Sequence, residues 1–141
     1  MKIPAAIIFL IFIIGSCSQE ENGVVCTEEF VTFTVHITGD GFLEYADEIK
    51  VFSVETGKVF YLYNSAEIKE SAPDYVIMTD DYREYLYKRK LITNETETVA
   101  LDVKIIKDDV EITKEYYYEF TADQCHIIKS SGKDTLQIQV Y

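Results

Sequence analysis

Val31-Thr32-Phe33-Thr34-Val35-His36-Ile37-Thr38 alternates without interruption. Branched and aromatic residues (Val31, Phe33, Val35, Ile37) take one face, and Thr32, Thr34, His36 and Thr38 take the other. Period-two alternation of these residue types predicts a strand with one face buried. A one-residue slip would turn every apolar side chain to water, so the face assignment is strict. Gly39-Asp40-Gly41 then ends the strand with turn chemistry.

The same pattern extends along the chain. A second strand is expected from about Glu48 to Val54, with Ile49 and Val51 inward. Glu55-Thr56-Gly57-Lys58 is a hairpin turn, since glycine supplies positive φ, and Val59 to Tyr63 returns. Asn64 to Asp74 is polar and reads as a connection, and Tyr75 to Thr79 as a short strand. Asp80 to Lys90 satisfies two periods. Tyr82, Tyr85, Leu86 and Arg89 could share a helical face, whereas Tyr85 and Tyr87 fit a strand; a loop or edge segment is favoured. Val99, Leu101, Val103 and Ile105 alternate inward, and Asp108-Asp109 turns the chain. Val110, Ile112, Tyr116, Tyr118 and Phe120 then share one parity. Lys114 interrupts that parity, which predicts a bulge or a local exit from the core. Ile127 and Ile128 open a final hairpin that turns at residues 130–134 and closes through Leu136, Ile138 and Val140. Short strands with regular turns and no long helical pattern predict an all-β, antiparallel sandwich of about seven strands.

The N-terminus carries a different signal. Lys2, an apolar run from Ile3 to Ile14 and the small residues Gly15 and Ser16 have the layout of a secretory signal peptide. The run is too short to span about 30 Å of hydrocarbon at about 1.5 Å per residue. Ile14-Gly15-Ser16-Cys17 resembles the lipobox of bacterial lipoproteins, which implies lipidation of Cys17 and attachment to a membrane through its acyl chains. Ser18-Gln19-Glu20-Glu21 resembles the acidic signal that sends some Gram-negative lipoproteins to the outer cell surface. The expected organisation is a signal peptide over residues 1–16, an acidic tether over 17–25 and one domain over 26–141. The expected location is the bacterial outer membrane.

Val51-Phe52-Ser53-Val54 with Thr56-Gly57-Lys58, then Tyr75-Val76-Ile77-Met78-Thr79, Tyr82 and the strand through Leu101 and Val103, add a second resemblance. Together they resemble carboxypeptidase-regulatory-like, or transthyretin-like, domains. That resemblance covers about residues 48 to 106, without the usual Gly-rich turn before the tyrosine strand. It implies an immunoglobulin-like sandwich, usually non-catalytic.

The net charge is −12, and loss of Lys2 with the signal makes the mature chain more acidic still. Nucleic acid is therefore excluded as a partner, because its phosphates require Lys and Arg. With Cys17 assigned to lipid, Cys26 and Cys125 form an even pair in an oxidising compartment, and a disulfide is the economical reading. No cofactor motif or metal-ligand spacing is present, and His36 and His126 read as solvated and structural respectively. Calcium between acidic loops is weighed against solvated turn acids, which are favoured. The chain has eleven tyrosines and no tryptophan. Tyr82, Tyr85 and Tyr87 lie beside Arg83, Lys88 and Arg89, the main basic island. Tyr and Arg favour partner contacts, so Tyr82, Arg83, Tyr85, Tyr87 and Arg89 are a candidate protein or glycan surface, against the plainer reading of an edge that covers the sandwich. The leading expectation is a non-catalytic, membrane-anchored binding or structural module. The alternative is a glycan-binding accessory lipoprotein.

Overall fold

The computed structural model describes residues 24–141. The signal peptide, Cys17 and most of the tether lie outside the described residues. In chain order the elements are β1 (Thr32–Thr38), α1 (Phe42–Tyr45), β2 (Ala46–Ser53), β3 (Val59–Asn64), α2 (Ser65–Ser71), β4 (Asp74–Thr79), a 3₁₀ turn (Asp80–Tyr82), α3 (Arg83–Thr93), β5 (Glu97–Lys107), β6 (Val110–Ala122), β7 (Ile127–Ser131) and β8 (Thr135–Gln137). Two sheets form an all-β sandwich, one ordered β4-β1-β8 and the other β3-β2-β5-β6-β7.

Alternation places the core as expected. Val35, Ile37, Ile49, Val51, Val99, Leu101, Val103, Ile105, Leu136 and Ile138 are all buried, while Thr32 and Thr34 face solvent. Val31, Phe33 and Val140 are only half-buried at the rim, where the Phe33 ring tilts against Phe120 at 5.6 Å. Register fixes which residues meet: Ile49 lies opposite Val103 and Val51 opposite Leu101. The β2–β3 turn falls at residues 54–58 with Gly57 at φ +71°.

Four local expectations need correction. Asn64 to Asp74 is not a bare connection but contains α2. Asn64 caps it by accepting from the Ala66 and Glu67 amides at 3.0 and 3.1 Å, while Glu67 accepts from the Asn64 amide at 2.9 Å. This reciprocal capping satisfies N–H groups that would otherwise be orphaned, and buried Ile68 anchors the helix. Asp80 to Lys90 is neither loop nor edge strand: it forms the 3₁₀ turn and α3, with the helical spacing of Tyr82, Tyr85, Leu86 and Arg89 prevailing. Asn94, left-handed at φ 57°, closes α3 by donating to the Lys90 carbonyl at 2.8 Å. Of the two outcomes expected at Lys114, the local exit from the core is the one found: β5 and β6 pair in unbroken register from Glu97–Phe120 to Lys107–Val110, and Val110 and Ile112 are 56% and 45% exposed.

The last stretch is not a hairpin. β7 pairs with β6, after which the chain crosses to the other sheet and β8 runs parallel to β1. The sandwich is therefore mixed rather than wholly antiparallel and counts eight strands. Gly132, at φ +115°, permits the crossing; a Cβ there would sit 2.1 Å from the Tyr118 ring. The Tyr118 hydroxyl donates to the Lys133 carbonyl at 2.9 Å and holds the crossing down.

Burial pushes the phenols of Tyr75 and Tyr118 up to about 12. The folded state then holds protons that the unfolded chain has released, so their contribution is complete below pH 10 and is lost as pH rises through 12. Urea melts across this range should show stability falling steadily. Tyr75→Phe with Tyr118→Phe should lower stability at neutral pH by about 1–3 kcal/mol per lost hydrogen bond, and should flatten the alkaline fall.

Candidate functional site

The segment 82–89 gathers its candidate residues together but aims them inward. The Tyr82 ring lies 4.9 Å from Phe60 and its hydroxyl donates to the Phe60 carbonyl at 2.9 Å. Tyr85 packs edge-on against Phe60 and donates to Glu97 at 3.3 Å, and Tyr87 is half-buried against the core. Arg83 donates to the Gln124 carbonyl at 2.7 Å. Arg89 donates through Nε to Glu97 Oε2 at 2.8 Å and through Nη2 to Glu55. These five side chains therefore join α3 to the sandwich and form no exposed aromatic platform.

Glu97 is the centre of that junction and is only 2% exposed. Its other oxygen accepts from the Ser53 hydroxyl, whose Oγ in turn accepts from the Thr56 amide at 3.1 Å. Glu97 is absent from the candidates read from the sequence. The signal was its parity, shared with Val99 and Leu101 on a buried face. A buried carboxylate needs a paired cation, and Arg89 supplies it. Removing the cation alone leaves an uncompensated charge. Arg89→Met should cost about 3–5 kcal/mol in urea melts, and adding Glu97→Gln should recover much of the loss.

A second junction lies at the start and end of the domain. The sulfurs of Cys26 and Cys125 are 2.02 Å apart, with Cα atoms 5.2 Å apart, so the pair is set for a disulfide as expected. Beside it, His126 Nδ1–H donates to Asp80 Oδ2 at 2.8 Å, and Nε2 is hydrogen-bonded to the Thr27 hydroxyl at 2.9 Å. Asp80 also accepts from the amides of Val31 and Ile127 at 2.8 and 2.9 Å. Asp80 thus clamps the 3₁₀ turn to the entries of β1 and β7 and is not a solvated turn acid. His126 has the structural role expected of it. His36, half-exposed, meets Asp74 of the neighbouring strand at 2.8 Å. Among the described residues no three His, Cys, Asp or Glu side chains are grouped to hold a metal ion.

Burial raises the Asp80 carboxyl, but the hydrogen bonds from Val31, Ile127 and His126 outweigh it and leave it below the usual carboxylate range. A lowered carboxylate stabilises the fold above its unfolded pKa and stops doing so as pH falls through the folded one. Asp80→Asn should therefore cost about 2–3 kcal/mol at neutral pH and much less in acid, as read from melts at both.

The third feature is an open strand edge. β6 pairs with β7 only from Glu119 to Ala122. Residues 110–118 therefore pair with β5 alone, and their other side meets no strand among the described residues. Against this edge lies an open cleft of about 580 Å³, lined by residues 115–118 of β6 together with Gly132, Lys133 and Leu136. Glu111, Thr113, Glu115, Tyr117 and Glu119 share one face of the strand. Tyr117 is 55% exposed and donates to Glu115 at 3.1 Å. Asp102 lies directly opposite Glu115 on β5. Its Oδ1 is buried without a hydrogen-bond partner, and burial together with the Glu115 charge raises its carboxyl.

Comparison with protein-family models, curated proteins and solved structures finds no match to this chain.

Proposed function

We propose that the chain is a non-catalytic lipoprotein of the bacterial envelope, held on the outer membrane by acyl chains on Cys17 and presenting its sandwich as a binding or structural module. The observation that carries this reading is Ile14-Gly15-Ser16-Cys17 behind a short apolar run. Each buried acyl methylene contributes about 0.8 kcal/mol, and more than one chain makes attachment stable. The side chains best suited to acid–base chemistry support the non-catalytic part. His126, Asp80, Glu97 and Arg89 are all engaged in bonds that join elements of the fold. The glycan-binding alternative needs an exposed platform at residues 82–89, whereas Tyr82, Tyr85 and Arg89 are bonded inward.

Cells fed a fatty-acid analogue should label the wild type and leave Cys17→Ala unlabelled, with the variant released from the membrane fraction. Equal labelling of the two rejects the lipoprotein reading.

A further inference from the structure

We propose that the free edge of β6, residues 110–118, receives an extended strand from a second protein, with basic residues on its outer face and apolar residues over the cleft. It rests on the lipoprotein reading only for the compartment in which that partner is met.

An edge strand offers a row of main-chain donors and acceptors, and addition of a peptide strand satisfies them. The edge is long because β7 covers only the last residues of β6. Its two faces specify different chemistry. On the outer face, Glu111 and Glu115 would stand opposite every second residue of an added strand. Asp102, next in the same row, has a buried carboxylate oxygen without a partner and a raised carboxyl. A lysine or arginine at these positions of the incoming strand relieves the repulsion between Asp102 and Glu115. On the inner face Tyr118 is already fully buried under the Gly132 crossing, whereas Val110 and Ile112 are exposed and Tyr116 is half-buried at the cleft. Apolar residues of the incoming strand would cover them. Lys114 interrupts that inner row, and no acidic side chain pairs with it among the described residues. An inward charge of this kind turns away a purely apolar strand. The partner therefore carries one carboxylate opposite Lys114.

A second copy of this chain fits the edge poorly. Antiparallel β6–β6 pairing centred on residue 113 sets Glu111 against Glu115. Centring on residue 114 sets Lys114 against itself, and centring on residue 115 does the same to Glu115. Like charges directly opposite are destabilising, and these are the registers that pair most of the free length.

The test uses the mature chain, residues 17–141, carrying Cys17→Ala. The probe is a fluorescein-labelled synthetic peptide of about ten residues that alternates lysine with valine, with glutamate at one central valine position. Fluorescence anisotropy should show saturable binding with Kd below about 1 mM. On binding, the amides of residues 110–118 that point away from β5 should become protected from hydrogen exchange, while those bonded to β5 are protected throughout. Glu111→Lys with Glu115→Lys should weaken binding about tenfold or more, because two favourable cross-strand pairs become repulsive. Glu28→Lys with Glu29→Lys changes net charge equally, away from the edge, and should leave Kd within about twofold. A peptide with proline at alternate positions should not bind, since it lacks the main-chain donors; this arm needs no protein variant.

Absence of saturable binding overturns the proposal, as does equal weakening by both double variants or protection confined to other strands. Protection, in the peptide-free monomer, of those amides of residues 110–118 that point away from β5 overturns it in favour of the chain's own N-terminal segment. A concentration-dependent dimer with protection at the same amides overturns it in favour of a second copy.

Discussion

β5 presents an inner face that has to be covered along its whole length. Val99, Leu101, Val103 and Ile105 are buried there, each contributing about 1.5–3 kcal/mol relative to exposure. The same parity places Glu97 inward at one end, where no apolar cover is tolerable. The carboxylate has to meet a cation and hydrogen-bond donors, and α3 delivers Arg89 and Tyr85 to it while Ser53 arrives from β2. The position of α3 follows from that requirement. A buried ion pair adds little stability over apolar packing, but losing one partner is costly. The network therefore acts mainly as a locator, allowing α3 one seat on the sandwich.

The two ends of the domain are brought together by a different device. Cys26 and Cys125 are separated by 99 residues. Closing a loop of that length contributes about 4–5 kcal/mol in the chain-entropy account. Asp80 reinforces the same place, since it bonds to the start of β1, to the start of β7 and to His126 beside the disulfide. The junction lies where the three-stranded sheet would otherwise be held by few strands. β1 is its centre, and β8 adds only a short parallel pairing.

Much of the fold was legible because alternation fixes faces locally. The inward residues of β1, β2 and β5, the β2–β3 turn and the cysteine pair all follow from residue type and spacing. What was missed depends on distant partners. Residues 80–90 fit two periods, and the arbiter was the need of Glu97 for Arg89, which no local window contains. The final hairpin reading failed because residues 130–134 carry ordinary turn chemistry. The crossing is decided by Gly132 lying on the Tyr118 ring and by β8 finding β1. The free edge of β6 was equally hidden, since strand order cannot be read from one sequence. Its trace was Lys114, a charge in an otherwise apolar parity at the point where the strand leaves the core.

An open edge is a hazard for any protein, because it invites indiscriminate strand pairing, and β6 carries the usual remedies. Glutamates alternate along its outer face and Lys114 interrupts the inner one, so self-pairing in the longer registers meets like charge. The same charges that prevent indiscriminate pairing also define what pairs well, because a strand of complementary pattern relieves them. Covering the edge with a longer β7 would have been the simpler protection. The fold instead sends the chain across to β8 at Gly132, leaving Tyr116 and Tyr118 beside an open cleft. Protection by charge rather than by cover keeps the main-chain groups of β6 accessible, and accessibility with selectivity is what a recognition edge requires.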